Sequence, residues 1–217
     1  MAMPAPIRPR DWLVPLSALV LAFALGAAVA NGETPNIDQQ ILTWISVNVT
    51  GIARLALIGV YKASGVAASF LLVLTAIIYL FLLRRWRDLA MLAMATGGIL
   101  VIIDMLLKPH FNRARPPEAL ISLKGHSFPS GHAAGGIVFY FALVAILSAG
   151  HPKRRLPLAL LAMIWVALVW FSTLVVRAHW PSDLIAGGAV GVAWLSLCLA
   201  WWRSPKRVLV ADGRPPC

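Results

Sequence analysis

Eight residues of the 217-residue chain have types and spacings suited to handling an anion: Lys108, Arg115, Ser130, Gly131, His132, Arg177, His179 and Asp183. His179 and Asp183 are four apart, which brings an imidazole and a carboxylate together where the turn is helical. A carboxylate accepting from one ring nitrogen fixes the tautomer and leaves the other nitrogen with an exposed lone pair. A purely structural hydrogen bond fits that spacing equally well until other residues converge on it. Phe128-Pro129-Ser130-Gly131-His132 carries a helix-start signal. Ser130 is a good N-cap, and Gly131 lets a ligand come close to the backbone. The first turn then offers free N–H groups and the positive end of the helix dipole to an anion, with His132 beside it. Arg115-Pro116-Pro117 is a stiff turn that aims its arginine. Asp104, one helical turn before Lys108, can pair with it. Two cations, an anion-binding helix start and two histidines, one backed by a carboxylate, suit phosphoryl transfer, which depends mostly on positioning and charge stabilisation.

The elements that must position these residues are apolar. The chain is 60% hydrophobic and 12% charged, against about 25% charged in an ordinary soluble domain. Uncharged runs reach the roughly 18 to 20 residues needed to cross a bilayer. The sequence predicts an all-α, polytopic membrane protein with six transmembrane helices: Trp12 to Ala30, Val66 to Leu83, Leu89 to Leu107, Gly131 to Ala149, Leu156 to Val176 and Leu184 to Trp202. The first run exceeds the roughly 7 to 15 residues of a signal-peptide core, so a retained helix is expected. The resulting organisation is a tail over 1–11, a six-span domain over 12–203 and a tail over 204–217. Within the domain lie an outer amphipathic segment over 31–65 and a polar motif loop over 108–131. In that amphipathic segment Ile37, Ile41, Trp44 and Ile45 recur at helical spacing, which suggests a helix lying at the interface.

The tryptophans at 12, 86, 180, 201 and 202 fall near span ends, where interfacial aromatics concentrate. The net charge of +11 comes from short basic clusters between spans, an orientation signal and not a nucleic-acid footprint. With six spans, 12 of the 19 Lys and Arg lie on the side holding both tails and the loops around 84–87 and 153–155. The positive-inside rule makes that side cytoplasmic and turns the 108–131 loop, Arg177 and His179 outward, toward the periplasm of a bacterium. Cys198 lies in an apolar span and Cys217 is the last residue, so neither a disulfide nor a metal site is expected.

With these residues in place, the chain resembles the membrane-bound type 2 phosphatidic acid phosphatases, relatives of the vanadium haloperoxidases. Lys108 to Pro116 matches the family's K-x6-R-P motif, and Pro129 to His132 matches P-S-G-H. His179, Asp183 and Ser172, seven residues before His179, match most of S-R-x5-H-x3-D, whose Arg falls on Thr173 here. The resemblance implies an integral inner-membrane phosphatase acting on a lipid phosphate or pyrophosphate, with undecaprenyl pyrophosphate, phosphatidylglycerophosphate, phosphatidic acid and lipid A phosphates as candidates. It implies that His179 attacks phosphorus to form a phosphohistidine, Asp183 orients it and His132 protonates the leaving oxygen. Lys108, Arg115, Ser130 and Gly131 would bind the phosphate, with no metal or other cofactor. Arg177, four residues after Thr173, could lean back over it and stand in for the missing Arg, or could reach out to lipid headgroups instead. A phosphotransferase using the same intermediate, and a non-catalytic lipid-phosphate binding or transport protein on the same scaffold, are the alternatives.

Overall fold

The computed structural model describes residues 12–32 and 36–204. Every regular element among them is helical: α1 (Leu13–Ala30), α2 (Asn36–Asn48), α3 (Gly51–Ala63), α4 (Val66–Leu82), α5, α6 (Gly131–Leu147), α7 (Pro152–Val175) and α8 (Pro181–Arg203). Helix α5 runs as Trp86–Leu100, widens into a π-helical stretch Val101–Leu107 and closes with the turn Lys108–Phe111. Most of the N-terminal and C-terminal tails, with Cys217, lie outside the described residues, while Cys198 is buried in the core.

Four helices are long and apolar enough to cross a bilayer: Leu13–Ala30, Trp86–Phe111, Pro152–Val175 and Pro181–Arg203. Helices α3 and α4 together would make a fifth, although they meet at a bend of 49°. Helix α6 is apolar but has only 17 residues, because the apolar run expected to reach Ala149 ends in a turn at Ser148 to Gly150, where Gly150 has φ +77. By length and composition, then, four to five of the six expected spans are met, and α6 falls just short in length. The outer faces remain apolar, with Phe81, Val101, Leu106, Leu161 and Ile164 exposed, as expected of surfaces that face hydrocarbon.

The core forms where α5, α6 and α8 meet. Met91, Leu92, Ala95 and Ile99 of α5 pack with Ala134, Val138 and Ala142 of α6 and with Leu195 and Cys198 of α8. These positions recur every three or four residues, the stripe a buried helix face requires. At the end of α6 that bears Ser130, the helices touch backbone to backbone. A Cβ at Gly187 would lie 2.4 Å from the Ser130 carbonyl oxygen, and one at Gly191 would lie 2.9 Å from that of Ala134. Glycine at these positions lets α8 come down onto the start of α6.

Two sequence expectations change. The 31–65 segment is two helices broken at Val49 and Thr50, and the face that α2 buries is Asp38, Leu42 and Ile45, with Ile37 and Trp44 exposed. A buried carboxylate thus shares that face with Leu42 and Ile45. Trp180 is also not an interfacial aromatic. It is buried, and its Nε1 donates to the Ala114 carbonyl at 3.0 Å. Trp12, Trp86 and Trp201 are exposed.

Candidate active site

The chain leaves α5 through Asn112, whose left-handed conformation (φ 47) lets its N–H return to the Lys108 carbonyl and turns the backbone out of the helix. The loop from 113 to 130 then folds across the start of α8. Ser127 holds its two limbs together: its N–H donates to the Arg113 carbonyl at 2.9 Å and its hydroxyl to that of Ala114 at 2.9 Å. Arg115 fastens the loop from the other side. It donates to the carbonyls of Lys124, Gly125 and Ala178, the last at 2.6 Å and one residue before His179. The Ser130 N–H donates to the Asp183 carbonyl at 3.0 Å, so the two motif segments are joined through backbone.

Ser130 caps α6 as its sequence predicts, its hydroxyl accepting from the Ala133 N–H at 3.3 Å. The Ala134 N–H goes to the Ser130 carbonyl. Those two bonds leave the first-turn N–H groups of Gly131 and His132 for an anion. The Lys108 ammonium lies beside this turn, 3.7 Å from where a Gly131 Cβ would be, and pairs with Asp104 at 2.6 Å. His132 follows on the same turn, its ring 6.2 Å from that of His179, and stacks on Tyr61 of α3 at 5.2 Å. One phosphoryl group set between the two imidazoles can reach both of them and the helix start.

His179 and Asp183 are both buried. The His179 Nδ1 lies 2.9 Å from the Ser127 carbonyl and 3.5 Å from Asp183 Oδ2. A carbonyl only accepts, so Nδ1 carries the proton and Nε2 keeps the lone pair. The tautomer is the one expected, but the closer acceptor is backbone and the carboxylate stands behind it. Burial pushes the His179 imidazole below its ordinary range, Asp183 pulls it up, and the charges of Arg115 and Lys108 add to the depression. The ring is therefore neutral near pH 7, the form that can attack.

What Asp183 does instead was not legible in the motif. Its Oδ2 accepts from the Trp180 N–H at 2.9 Å, and its Oδ1 from Arg113 Nη1 at 2.6 Å. Arg113 also donates to the Ser182 hydroxyl at 2.8 Å and to Asp38 Oδ2 at 3.1 Å. The Ser182 N–H donates to Asp38 Oδ1 at 2.9 Å and its hydroxyl to Asp38 Oδ2 at 2.5 Å. Arg113, Asp38, Ser182, Ser127 and Tyr61 were all missed by sequence reasoning. One signal pointed at Asp38: it is the only acid between Glu33 and Asp88, on a segment otherwise read by its isoleucines.

The structure thus brings Lys108, Arg115, Ser130, Gly131, His132, His179 and Asp183 to one place. It does not bring Arg177 there. Helix α7 ends at Val175, and Arg177 takes a left-handed turn (φ 56), so the helical register that would lay it over Thr173 is broken. Its Nη1 instead donates to Glu118 Oε2 at 2.6 Å, beside Arg54 and Leu174. Thr173 is buried, its hydroxyl donating to the Trp170 carbonyl of its own helix. Among the described residues, no group of three His, Cys, Asp or Glu side chains is arranged to hold a metal ion.

At one end of an apolar helical bundle, a buried histidine and carboxylate thus lie beside a second, half-buried histidine and a helix start with free N–H groups. The chain belongs to the PAP2 superfamily, whose profile matches residues 88–207, and it is a membrane lipid phosphatase of that superfamily. It is 28% identical over 192 residues to an undecaprenyl-diphosphatase of Sulfolobus acidocaldarius, covering 85% of this chain and 87% of that one. It is 38% identical over 110 residues to a lipid A 1-phosphatase of Rhizobium johnstonii, covering 46% and 41%. Over 84 residues it is 32% identical to phosphatidylglycerophosphatase B of Escherichia coli, covering 38% and 30%. The fold is that of a transmembrane PAP2-type phosphatidylglycerolphosphate phosphatase from Bacillus subtilis, solved by crystallography, with a TM-score of 0.77 over 87% of this chain and 95% of that one at 22% identity.

Proposed function

We propose that the protein removes a terminal phosphate from a lipid diphosphate or monophosphate through a phosphohistidine at His179. The neutral Nε2 attacks phosphorus while the P–O bond to the lipid breaks, and His132 gives its proton to the departing oxygen. Water then attacks the phosphohistidine, His132 takes the water's proton, and inorganic phosphate leaves. Lys108, Arg115 and the N–H groups of Gly131 and His132 hold the phosphate oxygens, with Ser130 shaping the turn. The observation that carries this reading is the pair of rings 6.2 Å apart at a helix start, one of them with its Nδ1 tied to a carbonyl. A polyprenyl diphosphate is the favoured substrate, because the match to the undecaprenyl-diphosphatase extends over most of both chains.

The same proposal takes the chain across the membrane six times, with α6 as a full span. Seventeen residues of helix extend about 25 Å, and α6 lies among α5, α7 and α8. The charge distribution supports a site on the outer face and both tails inside. Purified protein offered polyprenyl diphosphate, phosphatidylglycerophosphate, phosphatidic acid and lipid A should release phosphate fastest from the first. Label passing to a second lipid instead of to water would make the protein a phosphotransferase, and no turnover on any of the panel would contradict the proposal. For orientation, in a chain lacking Cys217, Ala119→Cys should react with an impermeant thiol reagent from outside and Lys153→Cys should not. The reverse pattern would put the site in the cytoplasm.

A further inference from the structure

The buried cluster behind Asp183 is larger than a nucleophile and its carboxylate require. Asp38 of α2, Arg113 of the motif loop, and Ser182 and Asp183 of α8 are all buried, with Asp38 1% and Asp183 0% exposed. They are joined by bonds that span 69 to 144 residues of sequence. Arg113 donates to both carboxylates, and its guanidinium lies 5.4 Å from the Trp180 ring centroid. Fixed charges in so dry a place act strongly on one another, and a buried charge without a partner is strongly destabilising.

The sum of those charges matters for His179. Arg113 alone beside Asp183 would cancel the charge that supports a positive imidazole. With Asp38 included, two carboxylates and one guanidinium leave a net charge of −1 next to a neutral His179. When Nε2 forms its bond to phosphorus and the P–O bond breaks, Nδ1 keeps its proton, so the ring becomes positive. The cluster is then neutral. When water displaces the ring, the bonding electrons return to Nε2 and the net charge of −1 is restored. We propose that Asp38 and Arg113 are positioning residues of the active site: Arg113 fixes Asp183 behind His179, and Asp38 supplies the negative charge that Arg113 would otherwise remove. Helix α2, outside all three motifs, thereby becomes part of the site.

This inference rests on the phosphohistidine reading. The groups that face His179 are Asp183 from α8, Lys108 with its partner Asp104 from α5, His132 from α6, and Arg113 and Arg115 from the loop. Tyr61 from α3 lies behind His132, and Asp38 from α2 behind Arg113. Among them, changes at Asp38 and Arg113 alter the local charge in opposite directions without touching the phosphate contacts.

The test is the acid limb of kcat/KM against pH, which reports protonation of the free enzyme, measured on the full chain in detergent. Asp38→Asn removes a negative charge and should move the limb down by roughly one pH unit. Its kcat should fall by about tenfold to a hundredfold, the usual scale for a supporting hydrogen-bonded group, with little change in KM. Arg113→Gln should move the limb up. The double variant restores the net charge of −1, and its limb should return toward that of the wild type. Asp38→Glu, which keeps the charge, should leave the limb in place, so the Asn and Glu pair decides the matter even where Arg113→Gln does not accumulate. Variants that lose activity with no opposed shift, and a double variant no better than either single one, would reduce the cluster to a structural tie and overturn the inference. His179→Ala, assayed alongside, separates the two failures. If it is inactive while the Asp38 limb stays fixed, only the present inference fails; if it keeps turnover, the phosphohistidine reading fails with it.

Discussion

The two ends of the helical bundle handle charge in opposite ways. Where α6 and α8 begin, charged side chains are buried and paired across long stretches of sequence, as Asp38, Arg113 and Asp183 are. Where α5 begins and α8 finishes, the ion pair is local and partly exposed, and the longer-range bonds join a charge to an indole or a carbonyl. Arg85 meets Asp88 three residues away at 2.6 Å, Trp202 Nε1 donates to Asp88 Oδ1, and Arg87 reaches the Ser204 carbonyl. Beside that second end, α6, α7 and α8 enclose an apolar crevice of about 780 Å³ with Arg155 and Arg203 among its lining residues. Burying charge is unfavourable unless every group is satisfied, so a fold carries such a cluster where its chemistry needs one. The basic residues of the other end stay near the surface, where they suit orientation in a membrane.

That contrast can be broken in order of expected effect. His179→Ala should lower phosphate release by about four to six orders of magnitude, the scale seen when a covalent nucleophile is removed, with protein still present in the membrane. His132→Gln should lower turnover of an alkyl phosphate by about 10² to 10⁴ and that of an activated aryl phosphate much less, since that leaving group needs no proton. Equal losses on both substrates would confine His132 to binding. Lys108→Ala should lower kcat by about 10² to 10³, the scale for one oxyanion contact. Arg177→Ala should stay within about tenfold, as for a partly exposed ion pair, and Thr173→Arg should not be needed to restore it. A loss from Arg177→Ala as large as that from Lys108→Ala would return Arg177 to the phosphate site. At the far end, Arg85→Ala should leave kcat/KM within about twofold, because a partly exposed pair contributes about 0 to 1 kcal/mol to stability. A large catalytic loss there would erase the distinction between the ends.

The proposed site was legible because its pattern is written locally: Ser130 beside Gly131 and His132, and His179 four residues from Asp183. Hydropathy located the bundle for the same reason, since one run of apolar residues is one element. What the sequence did not carry was any partnership made by folding alone. Arg113 sits two residues from Arg115 in the same loop, yet one turns into carboxylates and the other to backbone carbonyls. The prolines after Arg115 mark one of them, but nothing local shows which partners either arginine meets. Asp38 meets Ser182 across 144 residues, so its role emerges only once α2 has docked. Arg177 failed for a converse reason. Laying Arg177 over Thr173 requires α7 to continue past Val175, where it ends, and helix ends are decided by tertiary contacts as much as by propensity.

The central claim is that His179 carries the phosphoryl group, and acid-quench trapping tests it most directly. Wild-type protein mixed with lipid phosphate labelled in its phosphate and quenched within a turnover should hold label on one histidine, labile in acid and stable in base. His179→Ala should hold none, while His132→Gln given an activated aryl phosphate should accumulate it, because the water that releases phosphate then lacks its base. No label in the wild type under conditions where phosphate is released, or the same label in His179→Ala, would contradict the account.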